Sequence, residues 1–301
     1  MVLSATARRN LSVAAAVAIG IAAVYGLVRA FTSNWDEVRR AWREANWWLL
    51  AASVPVAALA VVGFGERWHA TLQALGAELP RGRALRWFFT GQLGKYAPGG
   101  VWHVVGQGEL ATRGGIARRT AYAGVMLSTV ILVGGAALTV AVGATLPVDA
   151  DTPWWAVGVG AGIVAALFVA PVRRRILRAA GVADGTTLPP RRLFLLIAGS
   201  VPAWVMVALA SLMVSEALHQ HAGVGRTMIA AVASWLVGIV TLPAPGGIGV
   251  REAVFAAGLA AGGLSTGSAA LVALIARLVF VVADVALFLA ARAVSEPSPV
   301  P

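Results

Sequence analysis

The chain contains no cysteine, a single lysine and little charge of any kind. The missing cysteines exclude disulfides, thiolate metal ligands and a thiol nucleophile together, and they leave the redox compartment unread. Charged residues make up only 12% of the sequence against 59% hydrophobic, with a mean hydropathy of +0.80. A soluble domain carries about twice that share of charge, so these 301 residues read as an all-α polytopic membrane protein. No Gly-x-x-x-x-Gly-Lys-Ser/Thr run is present, which excludes that type of phosphate-binding loop. Nor is there a nucleophile with a placed base or a spaced set of metal ligands, and His219 and His221 lack carboxylate or cysteine company. No enzyme activity, metal or cofactor is expected.

What charge there is has a pattern. The net charge of +11 comes from arginines in short loops between apolar runs, not from a basic face with interleaved aromatics, so nucleic acid is not the expected partner. Segments near 11–30, 47–64, 121–146, 153–171, 193–217 and 268–291 are apolar enough to cross a core that needs roughly 20 residues. The run 11–30 is read as a span and not as a cleaved signal, because no small-residue cleavage site with a polar start follows it. Arg8 and Arg9, the arginines around 81–86 and 113–119, those at 173–178, 191 and 192, and Arg292 read as cytoplasmic, with both termini inside. The loop with Asp149 and Asp151 reads as external. The loop from Arg29 to Asn46 fits less well, since its four arginines fall outside. The expected location is the plasma membrane, the inner membrane of a bacterium.

The sequence also repeats a phrase. Ala97-Pro98-Gly99-Gly100-Val101 returns 147 positions later as Ala244-Pro245-Gly246-Gly247-Ile248, and Gly114-Gly115-Ile116 returns as Gly262-Gly263-Leu264. Gly and Pro breaking apolar segments at matching places of two halves mark the broken helices of transporters, whose freed backbone groups line a site. Basic loops flank 84–106 on both sides, so this stretch is expected to enter from the cytoplasm and return. Residues 227–262 lie between the loop near His219 and a last span running inward, so they are expected to dip in from outside. Each half then reads as two spans, a re-entrant hairpin and one span, with opposite orientations. The repeats cover about 11–146 and 153–292 of a single domain, 1–301. The alternative, in which the hairpins cross, gives eight helices.

Chemistry concentrates in these breaks. Lys95 stands two residues before the first Ala-Pro-Gly-Gly, where an ammonium, exposed amides and a helix N-terminus suit a phosphate or carboxylate; the plain alternative is a lysine snorkelling to the interface. Arg277 lies inside the last apolar run, where a charge costs several kcal/mol and calls for a role or a partner. Asp284, two turns on, shares its helix face, and an ion pair with each other or with neighbours is the structural alternative to a substrate role. Arg251-Glu252 follows the second break, where Glu252 either caps a restarting helix or acts as a gate. Glu109 holds the comparable place after the first. Trp102, His103 and Gln107 complete the first hairpin, His103 serving a backbone carbonyl or a proton. Trp47, Trp48, Trp154 and Trp155 read as interfacial anchors.

Lys95-Tyr96-Ala97-Pro98-Gly99-Gly100-Val101-Trp102-His103, Leu242-Pro243-Ala244-Pro245-Gly246-Gly247-Ile248-Gly249-Val250-Arg251-Glu252, and Arg277 with Asp284 resemble the lysylphosphatidylglycerol synthase transmembrane family, also called flippase-like membrane proteins. The resemblance covers nearly the whole chain. It implies a membrane domain that moves aminoacylated phosphatidylglycerol between leaflets, or one linked to polyprenyl-phosphate sugars and envelope glycosylation. The aminoacyltransferase domain of true synthases is not expected here, because the sequence ends at Pro301 soon after the last span. Many relatives carry Glu-Arg where this chain has Ser128-Thr129, the counterparts of Ala276-Arg277, so the anion site is expected to be asymmetric.

The expected function is transfer of an anionic lipid, phospho- or polyprenyl-phosphate-linked, between leaflets by alternating access. Lys95, Tyr96, Pro98, Gly99, Gly100, Trp102, His103, Pro245, Gly246, Gly247, Arg251, Glu252, Arg277 and Asp284 are the candidate binding residues. The expected partners are that lipid and a synthase or glycosyltransferase. The competing readings are a membrane enzyme or accessory protein of lipid-linked sugar chemistry, and a scaffold regulating an envelope synthase.

Overall fold

A computed structural model describes residues 25–26, 28–29, 32–96, 101–143, 154–182, 188–240 and 249–293. Most of the expected first span and both Ala-Pro-Gly-Gly phrases, including Pro98, Gly99, Gly100, Pro245, Gly246 and Gly247, lie outside the described residues. All regular structure among the described residues is helical.

Helix α1 (Trp35–Arg43) is short and two-faced: Val38 and Ala41 are buried, with acids in its first turn and arginines in its last to match the helix dipole. α2 (Trp47–Ala74) starts at Asn46, whose side chain accepts the Leu49 N–H at 3.1 Å. Its expected end was near 64, yet it runs ten residues further. Phe64, Trp68 and Leu72, spaced four apart, are buried on one face, and the His69 ring meets the Leu79 carbonyl at 2.8 Å, so tertiary packing carries the helix past its polar residues.

Two helices of 12 residues follow, α3 (Arg81–Gln92) and α4 (Trp102–Arg113), with a 3₁₀ turn at Leu93–Tyr96 after the first. Each is about 18 Å long at 1.5 Å per residue, well short of the roughly 30 Å hydrocarbon core. They pack against each other so closely that a Cβ on Gly94 would lie 2.6 Å from the Trp102 carbonyl carbon. α5 (Arg118–Gly143) comes next, then α6 (Trp154–Phe168), α7 (Ala170–Ala179), α8 (Pro190–Ala198) and α9 (Val201–Ala217). A second pair, α10 (Val224–Val240) and α11 (Val250–Ala260), precedes the last helix, α12 (Thr266–Ala293).

Four stretches are long and apolar enough to cross a membrane: Trp47–Ala74, Arg118–Val142, Pro190–Ala217 and Thr266–Ala293. The span expected over 153–171 is shorter: α6 stops at Phe168, and the chain restarts at Ala170-Pro171 as the arginine-rich α7. The span expected over 193–217 is divided at Gly199-Ser200, with Pro202 opening α9.

The two halves answer each other in detail. α4 ends with Ile116 N–H donating to the Ala111 carbonyl and Gly115 N–H to Thr112, at 3.1 Å each. α11 ends with Leu264 to Leu259 at 3.4 Å and Gly263 to Ala260 at 3.0 Å, every position 148 later. Gly115 and Gly263 both stand at φ 95, the left-handed cap that glycine adopts most readily. α2 and α9 close with the same pattern, but the second copy places His219 at φ 53 where the first has Gly76 at φ 84.

Packing is reciprocal as well. α3 lies on α12 while α10 lies on α5, and α2 lies on α12 while α9 lies on α5. α2 and α9 themselves run antiparallel: the Asn46 N–H donates to the Ala217 carbonyl at 2.7 Å, and further along Gly63 faces Ala203. At the centre, Phe64, Trp204, Trp235 and Phe280 form a chain of rings with centroids 4.9, 5.9 and 5.1 Å apart, joining α2, α9, α10 and α12. The Trp204 indole N–H donates to the Leu132 carbonyl at 2.9 Å and ties in α5.

Candidate functional site

The first hairpin presents Lys95 and Tyr96 from its 3₁₀ turn, and the second presents Arg251 and Glu252 from the first turn of α11. Both sets converge on the middle of α12, where Arg277 and Asp284 project two turns apart. Six residues named from sequence therefore meet, although they come from three separated stretches.

Asp284 anchors one end. Its carboxylate Oδ2 takes the Lys95 ammonium at 2.6 Å and the Tyr96 hydroxyl at 2.5 Å. It is 1% exposed, so the ammonium is what makes its charge tolerable there. Oδ1 accepts no hydrogen bond among the described residues. Glu252 anchors the other end. One oxygen accepts the Gly249 N–H at 2.7 Å, half of a capping box, because the glycine has no side chain to return the bond. The other oxygen lies 3.6 Å from Arg277 Nε. Glu252 thus serves as a helix cap and as the neighbour of a buried guanidinium.

Aromatic faces hold the remaining charge. The Arg251 guanidinium sits 3.5 Å from the Trp235 ring centroid and 5.4 Å from that of Phe280. Lys95 and Arg277 each lie 5.3 Å from the Tyr96 ring. Such contacts are worth about 2 kcal/mol when desolvated, and they stabilise cations without neutralising them. Among the described residues of the cluster, three basic side chains, Lys95, Arg251 and Arg277, stand against two carboxylates, Glu252 and Asp284, a formal excess of one positive charge inside a membrane protein. The pocket beside them is lined by Ser211, Ser234, Trp235, Arg251, Glu252 and Arg277, and it holds about one water molecule. The arrangement has the charge to accept an anion, and the pocket beside it is narrow.

Arg277 and Asp284 do not pair with each other; each meets a neighbour from a hairpin tip, Arg277 with Glu252 and Asp284 with Lys95, which is the neighbour form of the ion-pair alternative. Trp102 begins α4 half-exposed, at 51%, and His103 follows it partly buried. Glu109 is drawn elsewhere, accepting the Tyr122 hydroxyl at 2.8 Å and pairing with Arg118 at 2.9 Å. Gln107 is buried where the first hairpin closes, against Gly91. Sequence reading missed Trp235 and Phe280. Trp235 did carry a signal, as a tryptophan inside an apolar hairpin segment instead of at a span end.

Fold and site together define a polytopic helical membrane protein with a cation-rich cluster buried between two hairpin tips and one charged span. The chain belongs to the lysylphosphatidylglycerol synthase TM region family, whose model matches residues 13–287 and so takes in both hairpins and every residue of the cluster. This places it among membrane proteins of lipid and cell-envelope biology. No curated protein matches the chain.

Proposed function

We propose that this protein is a lipid flippase-like transporter that carries an anionic headgroup between leaflets. The observation that carries the reading is the excess positive charge where the two hairpin tips meet α12. Its phosphate, on a phospholipid or a polyprenyl-phosphate-linked lipid, would displace the carboxylates from Lys95 and Arg277. The acyl chains would stay in lipid. In the first hairpin, two helices of about 18 Å that pack back on each other favour a re-entrant form over two crossings. Antiparallel packing of the equivalent helices α2 and α9 favours an inverted repeat, in which rocking of one half against the other exposes a central site to alternate sides. With no P-loop motif, movement is downhill or coupled to ions. The setting we propose is the plasma membrane with both termini cytoplasmic, and a synthase or glycosyltransferase supplies or consumes the lipid.

Reconstitution in liposomes with a headgroup-labelled anionic phospholipid tests this. Wild type should exchange label between leaflets faster than protein-free vesicles, and Lys95→Ala and Arg277→Ala should lose at least tenfold of the gain. Wild-type exchange at the protein-free rate overturns the transport reading. Undiminished exchange by both variants overturns the site while leaving transport standing.

A further inference from the structure

Arg251 is only 9% exposed, yet among the described residues it has neither a hydrogen-bond acceptor nor an ion-pair partner. Glu252 and Asp284 attract it and Arg277 repels it, all without a contact. Its face is covered by the Trp235 ring, at 3.5 Å from the centroid. A ring face stabilises the charge, but the N–H donors of a guanidinium lie in its plane and call for an acceptor at the edge. Trp235 has the same deficit, since its indole N–H is buried with no acceptor among the described residues.

Both residues line the same small cavity. Four helices enclose it: Ser211 comes from α9, Ser234 and Trp235 from α10, Arg251 and Glu252 from α11, and Arg277 from α12. Its volume of ≈ 10 Å³ is that of a single water molecule, so a whole phosphate group is too large and a monatomic ion is not. The serine hydroxyls donate to carbonyls of their own helices, Ser211 to Val207 at 2.9 Å and Ser234 to Ala231 at 2.7 Å. Glu252 supplies the one carboxylate of the lining, and its Oε1, 3.6 Å from Arg277, accepts no hydrogen bond among the described residues. Unmet donors therefore outnumber unmet acceptors, because the N–H groups of a guanidinium and an indole stand against one oxygen. Water donates as often as it accepts. An anion only accepts, and it also offsets the formal excess of one positive charge in the cluster.

We propose that this cavity binds a monovalent, chloride-sized anion, held by the edge of the Arg251 guanidinium and by the Trp235 indole N–H. The ion supplies the counter-charge that an excess cation buried in a membrane protein calls for. Lys95 keeps Asp284 and Arg277 keeps Glu252 while it is bound. Its binding is local to the cavity and does not depend on lipid transport, so the two are tested separately.

The full chain in detergent would be titrated with sodium chloride at constant ionic strength, with gluconate as the balancing anion, while the linewidth of the chloride NMR signal is followed. Wild type should add a saturable broadening that bromide displaces, and its melting temperature should rise with chloride and not with gluconate. Arg251→Gln removes the charge, and Trp235→Phe keeps a ring beneath Arg251 while removing the N–H. Each should weaken the saturable component several-fold, and Trp235→Phe decides if Arg251→Gln does not fold. The combination Arg173→Gln, Arg174→Gln and Arg175→Gln, on α7, should leave it unchanged. No saturable broadening in wild type means that the cavity holds water only, and overturns the site. Broadening that every folded cluster variant retains, or that the α7 variant removes, places chloride on surface arginines and overturns it equally.

Discussion

The two hairpins are built alike and end differently. Both consist of helices that fold back on themselves, both close with the same glycine cap, and each lies on the last span of the opposite half. Yet the first tip reaches α12 with a single ammonium on a carboxylate, whereas the second brings an arginine stacked on tryptophan and a glutamate tied to its own helix start. The span that would match α12 in the first half, α5, offers Ser128 and Thr129, whose hydroxyls turn back onto the Val125 carbonyl at 2.8 and 3.0 Å. The two hairpins are thus alike in helix ends and packing, while the buried charge meets α12 and not α5. A charged cluster where two similar hairpins meet need not be symmetric.

Asp284→Ala should break the comparison hardest. It leaves the Lys95 ammonium buried without its carboxylate, and breaking such a pair costs about 3–5 kcal/mol. Thermal unfolding in detergent should show the loss, and the double variant Lys95→Met with Asp284→Leu should regain most of it. A cost below about 1 kcal/mol for the single change would mean that this pair does not hold the first tip. Gly94→Ala comes next. Its new Cβ meets Trp102 and His103 backbone within 2.8 Å, and overpacking of this kind costs about 1–3 kcal/mol. Gly258→Ala in the second hairpin meets the Ala230 methyl at 2.6 Å, so the same assay should rank it the milder.

Gly115→Ala and Gly263→Ala sharpen the likeness instead. Neither new Cβ has an atom within 4 Å, so only the left-handed φ opposes them, at about 1–2 kcal/mol each. Equal losses in melting temperature are expected, and a difference of more than about 1 kcal/mol would mean the caps are not equivalent. The smallest effect belongs to Trp235→Phe. It keeps a ring under Arg251 but weakens the face, for a loss of about 1 kcal/mol. Its measurable sign is a modest fall in stability that disappears when Arg251 is already Met.

Much of this was legible along the chain, for identifiable reasons. The membrane class follows from composition, and the hairpin breaks follow from Pro and Gly in apolar sequence, because backbone rules act locally. The charged residues of the cluster could be named because an ionised group in an apolar run stands out against its neighbours. Partner choice was not legible. Arg277 and Asp284 share a helix face, which leaves a pair with each other and pairs with neighbours both open, and only the approach of the two tips selects for each a residue far away in sequence. The extension of α2 to Ala74 was hidden in the same way, since nothing local shows that Trp68 and Leu72 will be buried.

The sequence by itself determined that this is a helical membrane protein, where its apolar helices break, and which few side chains bear charge inside it. Those properties depend on residue type and near neighbours, which the order of the chain contains in full. The tertiary structure decided which charges face each other and that Trp235 and Phe280 complete their surroundings. Contacts between residues separated by scores of positions depend on how whole helices cross, and no local pattern encodes that crossing.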